Sequence, residues 1–216
     1  MDRINSFINE LSKVESRVDM TNMYAPSSPQ SEVCKHNLSL YLHRMVDKKC
    51  NTILVGEAPG YRGCRLSGIP FVCEDMFTQK WVPDLMGSDL GYKIFSKGKL
   101  EHEGSASVVW PKLKEWHSRF QSMPLLWNIY PFHPHKCNNV NSNRTPSSQE
   151  LKMGKEFLIK LLDLFDITNF GGIGRKAEST MKGMRFPDVS YIRHPSRGGS
   201  IVFASHIDVF MNSHVS

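Results

Sequence analysis

Residues 53–77 read ILVGEAPGYRGCRLSGIPFVCEDMF, and the order of residue types in this stretch decides the fold. Ile53, Leu54 and Val55 form an apolar run without polar alternation, the pattern of a strand buried on both faces of a parallel sheet. Gly56 ends the run, and a loop carrying Pro59, Gly60, Gly63, Gly68 and Pro70 follows. Glycine lets a backbone approach a ligand closely or take positive φ, and proline stiffens the turn between. A buried strand opening into such a loop points at a binding site, because open α/β sheets bind ligands beyond the carboxyl ends of their strands.

Outward from this strand, at 52–56, three more short apolar segments read as strands, at 124–130, 167–173 and 189–193, each followed by Gly, Pro or Asn. Helical spacing predicts helices over 3–17 (Ile4, Phe7, Ile8, Leu11, Val14) and 31–47 (Val33, Leu38, Tyr41, Leu42, Met45, Val46), with Pro26 to Pro29 as a linker. A third helix is predicted over 149–165, opened by a capping box from Ser147 to Glu150. Strands alternating with helices imply an α/β chain whose parallel sheet is covered on both faces. Residues 76–123 interleave aromatics and lysines and read as a partly helical insertion within one domain, 1–216, whose first 50 residues are helical.

The chain has 216 residues, a formal net charge of +6 and a pI near 9.1, a balance that favours a polyanionic partner such as DNA. It has no apolar run long enough to cross a membrane, and its N-terminus lacks a signal-peptide core, so a soluble intracellular protein is expected. The five cysteines are odd in number and contain no CxxC pair, so reduced thiols, no metal and no cofactor are expected.

The unusual residues gather at the strand ends. GEAPG is neither a phosphate-binding P-loop nor a GxGxxG fingerprint. Phe71 offers a ring close in sequence to the Glu57, Glu74 and Asp75 carboxylates. Asn128 ends an apolar strand that would bury its amide, a group able both to donate and to accept. His194 leads a His-Pro-Ser turn and could stabilise charge on a leaving group. Gly172 to Glu178 reads as a strand-to-helix turn whose amides, with Arg175 and Lys176, could bind a phosphate.

GEAPG at 56–60, Gly68-Ile-Pro-Phe71, Asn128, the Asn143-Arg-Thr-Pro146 turn and His194-Pro-Ser196, in this order, resemble the uracil-DNA glycosylase superfamily over about residues 50–205. The resemblance implies a three-layer α/β/α sandwich around a short four-stranded parallel sheet. It also implies cleavage of the N-glycosidic bond of a flipped nucleotide by a monomeric DNA-binding enzyme. By it, Gly56, Ala58, Gly60, Tyr61, Phe71 and Asn128 surround the base, Glu57 or Glu74 acts at the sugar with Asp75 behind them, and His194 serves the departing base. Arg144, Arg175, Lys176, Ser196 and Arg197 would contact DNA, with Arg197 or Ile201 filling the gap left by the flipped base.

The chain departs from the family in three ways. Ala58 occupies the position where one branch has its water-positioning acid. The paired cysteines of the iron-sulfur branch are missing ahead of GEAPG, so no cluster is expected. Gly60 stands where a tyrosine crowds the C5 position of the pyrimidine, which leaves both uracil and 5-modified cytosines of phage DNA open as substrates. Genome repair and antiviral defence would use the same chemistry. A non-catalytic DNA-binding module remains the alternative from another class, and a small-molecule α/β hydrolase is disfavoured by the lack of a GxSxG elbow.

Overall fold

The computed structural model describes residues 2–184, 186 and 188–214. Its centre is a four-stranded parallel sheet of β2 (Thr52–Gly56), β3 (Leu125–Asn128), β5 (Asn169–Ile173) and β6 (Ser190–Ile192), in the order β3-β2-β5-β6. Every residue of β2 and β3 is buried, as an apolar run without alternation requires. The register sets Gly56 opposite Asn128, and pairing continues past the strand ends through the Ile129 amide to the Gly56 carbonyl, 2.8 Å, and the Tyr130 amide to the Glu57 carbonyl, 3.0 Å.

Helices cover the sheet to make the three-layer α/β/α architecture. α1 (Arg3–Ser12) packs against α2 (Ser31–Asp47) and α5 (Ser148–Leu162), which starts with the Ser147–Glu150 capping box. α1 stops short of the predicted 17 because the buried Asn22 amide donates to the carbonyls of Leu11, 2.8 Å, and Val14, 2.6 Å, capping the chain where the helix would continue. α4 (Gly104–Phe120) packs on α7 (Ser200–His214), with Trp116 and Phe210 rings 6.0 Å apart and Lys112 paired with Asp208. Its Trp110, Leu113 and Trp116 are fully buried. α6 (Arg175–Lys182) lies against β5 and β6.

Three features were not expected from the sequence. A small antiparallel pair joins β1 (Met20–Thr21) to β4 (His133–Pro134), clamping the end of the N-terminal part to the segment after β3. Between them in the chain, α3 (Cys64–Ser67) gives the glycine-rich loop one helical turn, stopped by Gly68 at φ 80°. A 3₁₀ helix over Glu74–Thr78 closes that loop.

Candidate active site

The carboxyl ends of the four parallel strands and the loop after β2 enclose a cavity of about 830 Å³. At its floor three residues converge. A β-carbon added at Gly56 would lie 2.5 Å from Phe71 Cζ and 2.6 Å from Asn128 Oδ1, so only glycine lets the ring and the amide meet over the end of β2. Phe71 holds a left-handed backbone, φ 58°, and its carbonyl accepts a 2.8 Å hydrogen bond from the Trp110 indole. Side chains other than glycine adopt this conformation at a cost, and here α4 holds it in place. The Asn128 side chain is 3 % exposed and has no hydrogen-bond partner among the described residues. The amide faces the cavity, where a ligand edge that both donates and accepts can engage it.

Glu57 stands at the neck of the loop, half-buried, with Oε1 out of solvent and without a hydrogen-bond partner among the described residues. Burial raises its carboxyl above the ordinary value, against the pull of the Lys176 ammonium. Lys176 and Arg175 come from the first turn of α6 and line the same cavity, with the Arg175 guanidinium 4.9 Å from the Tyr191 ring centre. Across the opening, His194 Nδ1 accepts from the Ser196 backbone amide at 3.1 Å and lies 2.8 Å from Ser196 Oγ. An amide N–H can only donate, so Nδ1 is unprotonated and the neutral ring carries its proton on Nε2. Burial, and then Arg193 beside it, lower the pKa of His194 and favour this neutral form.

The loop is held from below by His133, buried with Nδ1 2.9 Å from the Pro59 carbonyl and Nε2 3.0 Å from the Val140 carbonyl. Burial pushes this imidazole down to about 4, although both carbonyls favour a proton. Ala58, Gly60, Ser196 and Arg197 also line the cavity, and a β-carbon on Gly60 would meet nothing within 4 Å. The Tyr61 ring stacks with Arg62, while its amide donates to Asn143 Oδ1 at 3.2 Å, joining the first loop to the Asn143–Pro146 turn.

Three residues singled out in the sequence, Glu74, Arg144 and Asp75, are engaged elsewhere. Glu74 is 1 % exposed and lies outside the cavity lining, its carboxylate accepting from the Phe95 and Ser96 amides and the Ser96 hydroxyl. It organises the loop ahead of α4. Arg144 reaches the cavity wall, but its guanidinium is spent on Glu150 through two bonds of 2.7 and 2.8 Å, on Asp19 at 3.0 Å and on the His135 carbonyl. Buried Glu150 needs that charge. Asp75 pairs with His102, and Ile201 is 81 % exposed on the first turn of α7.

Glu103 went unnoticed in the sequence. It caps α4, accepting from the Ser105 and Ala106 amides at 3.2 and 3.1 Å, and lines the cavity beside Gly63 and Ser105. An acid before a Gly-Ser-Ala helix start is a capping signal, but nothing local reports which cavity the cap faces.

A parallel sheet of order β3-β2-β5-β6 with this cavity at its carboxyl edge has a known counterpart. The fold is uracil-DNA glycosylase-like. The crystal structure of wild-type Pedobacter heparinus SMUG2 matches it with a TM-score of 0.68 over 98 % of this chain and 95 % of that chain, at 19 % sequence identity. No protein-family model and no curated protein matches the chain. Within the uracil-DNA glycosylase-like fold the chemistry therefore rests on the residues around the cavity.

Proposed function

We propose that this chain is a monofunctional DNA glycosylase, acting as a monomer inside the cell, that flips a non-canonical pyrimidine out of DNA and hydrolyses its N-glycosidic bond. The observation that carries this reading is the meeting of the Phe71 ring and the unpartnered Asn128 amide over Gly56, beside an unpartnered carboxylate. The flipped base stacks on Phe71, and Asn128 donates to one atom of its edge and accepts from another. As the bond between C1′ and the base nitrogen breaks, its electron pair leaves with the base and the sugar gains positive charge. Glu57 stabilises that charge and takes a proton from the water that attacks C1′, while His194 Nε2–H donates to the base oxygen on which negative charge grows. Arg175, Lys176 and Arg197 at the cavity rim suit the flanking phosphates. The fold shared with SMUG2 agrees with this reading.

Glu57 is favoured over Glu74 as the acting carboxylate because its oxygen is unengaged, whereas Glu74 is fully occupied. The space at Gly60 supports a substrate range that includes 5-modified pyrimidines, among them bulky modified cytosines, and with them an antiviral role beside repair. Oligonucleotides carrying uracil or 5-modified cytosines, incubated with the protein and then cleaved with alkali, test the proposal. An abasic product from at least one is the expected result, and its loss in Glu57→Gln assigns the chemistry to this cavity. Binding without any abasic product would instead support a non-catalytic DNA-binding module.

A further inference from the structure

Behind the cavity wall, Cys73, Asp75 and His102 bring three different donor atoms within 4.8 Å of one another. Cys73 follows Phe71 by two residues and is fully buried, whereas the His102 side chain is 60 % exposed and leaves a path to solvent. Asp75 turns Oδ2 to His102 Nδ1 at 2.7 Å, while Oδ1 is buried without a hydrogen-bond partner among the described residues. From this orphaned oxygen and its two neighbours we infer that Cys73, Asp75 and His102 form a binding site for one zinc-like divalent cation, independent of the glycosylase reading.

One sulfur, one imidazole nitrogen and one carboxylate oxygen form a donor set suited to zinc, which sits about 2.0–2.3 Å from such ligands. A small rotation of exposed His102 opens its contact with Asp75 enough to admit the ion. Water completes the shell from the solvent side. Binding displaces the proton of the Cys73 thiol, and the Glu103 amide that faces the sulfur supports the resulting thiolate. The ion would staple the segment after Phe71 to the segment that carries Glu103 into the cavity wall.

The test uses the whole chain, stripped with chelator under reducing conditions and titrated with cobalt(II). One equivalent should raise a thiolate-to-cobalt charge-transfer band in the near ultraviolet, which zinc then abolishes. His102→Ala and Cys73→Ser should lose the band, while Cys137→Ser, which removes the exposed thiol, should keep it. Zinc should raise the Tm of the wild type and leave that of His102→Ala unchanged. His102→Ala should melt like the wild type in chelator, so a lost band cannot be ascribed to unfolding. No charge-transfer band in the folded wild type, or a band that survives His102→Ala or vanishes in Cys137→Ser, overturns the inference. Excision activity enters none of these readouts, so this site and the glycosylase proposal can fail separately.

Discussion

Replacing Gly56 with alanine puts a methyl carbon where Phe71 Cζ lies at 2.5 Å and Asn128 Oδ1 at 2.6 Å. Carbon atoms pack comfortably at about 3.5–4.0 Å, so the ring must retreat by about 1 Å and the amide must turn away. Overpacking of this kind costs about 1–3 kcal/mol. The stiffer unfolded chain returns about 0.4–1 kcal/mol, leaving a net loss of about 0–2.6 kcal/mol. For a domain of this size that lowers Tm by up to about 10 °C, at about 2–4 °C per kcal/mol. Excision should suffer more, because a displacement of about 1 Å in a substrate-positioning group can cost about a hundredfold. Gly60→Ala is the matched control, since its methyl group meets nothing within 4 Å and only the stiffer unfolded chain acts, so its Tm should rise by about 1–4 °C. Thermal melting and single-turnover cleavage of a uracil oligonucleotide read both effects. A Gly56→Ala protein with wild-type melting and wild-type excision would refute the claim that the ring and the amide converge there.

Four other outcomes are expected. Burial raises the Glu57 carboxyl, so the native state holds its proton more tightly than the unfolded chain, and stability falls as pH rises through that window. Glu57→Gln should therefore melt higher than wild type at neutral pH while losing excision, and a variant that loses both or neither contradicts the assignment. His194→Ala should lower single-turnover excision about 10²–10³-fold, whereas Ser196→Ala, which keeps the backbone amide on Nδ1, should have little effect in the same assay. Arg144→Ala should act on the fold, removing about 3 kcal/mol measured by urea denaturation. Burial would raise the Glu150 carboxyl, but Arg144 and the Ser147 amide hold it at about 2, so the stability this supplies is present above its usual value and lost as pH falls toward 2. Arg175→Ala should instead leave urea denaturation unchanged and reduce the salt slope of DNA binding by about 1.

The strand at 53–55, the loop that leaves it and the chain positions of the four parallel strands were legible because each depends on residues adjacent in the chain. A doubly buried strand needs an unbroken apolar run, and a loop against a ligand needs glycine and proline, so both leave a local trace. The Ser147–Glu150 capping box was legible for the same reason, its partners being three residues apart. β1 and β4 left no trace, being two residues each and paired across more than a hundred positions.

The cavity residues divide in the same way. Gly56, Phe71, Asn128 and His194 could be read from the sequence as strand-end and loop features, and all four line or floor the cavity. Glu74 and Glu57 were equivalent as carboxylates near Phe71, and only the fold turned one toward the Phe95 and Ser96 amides and left the other unengaged. Arg144 looked like a phosphate ligand until Glu150 and Asp19 were seen to consume its guanidinium. Glu103 entered the wall although it stands 32 residues beyond Phe71 in the chain.

The sequence by itself determined the α/β architecture, the edge of the sheet that carries the site and the glycine-rich loop around it, since these follow from periodicity and backbone restrictions within a few residues. Which charged groups are free to act was decided only by the tertiary structure. A carboxylate or guanidinium is available for chemistry only if no distant partner has satisfied it, and that partner is fixed by packing rather than by neighbours in the chain.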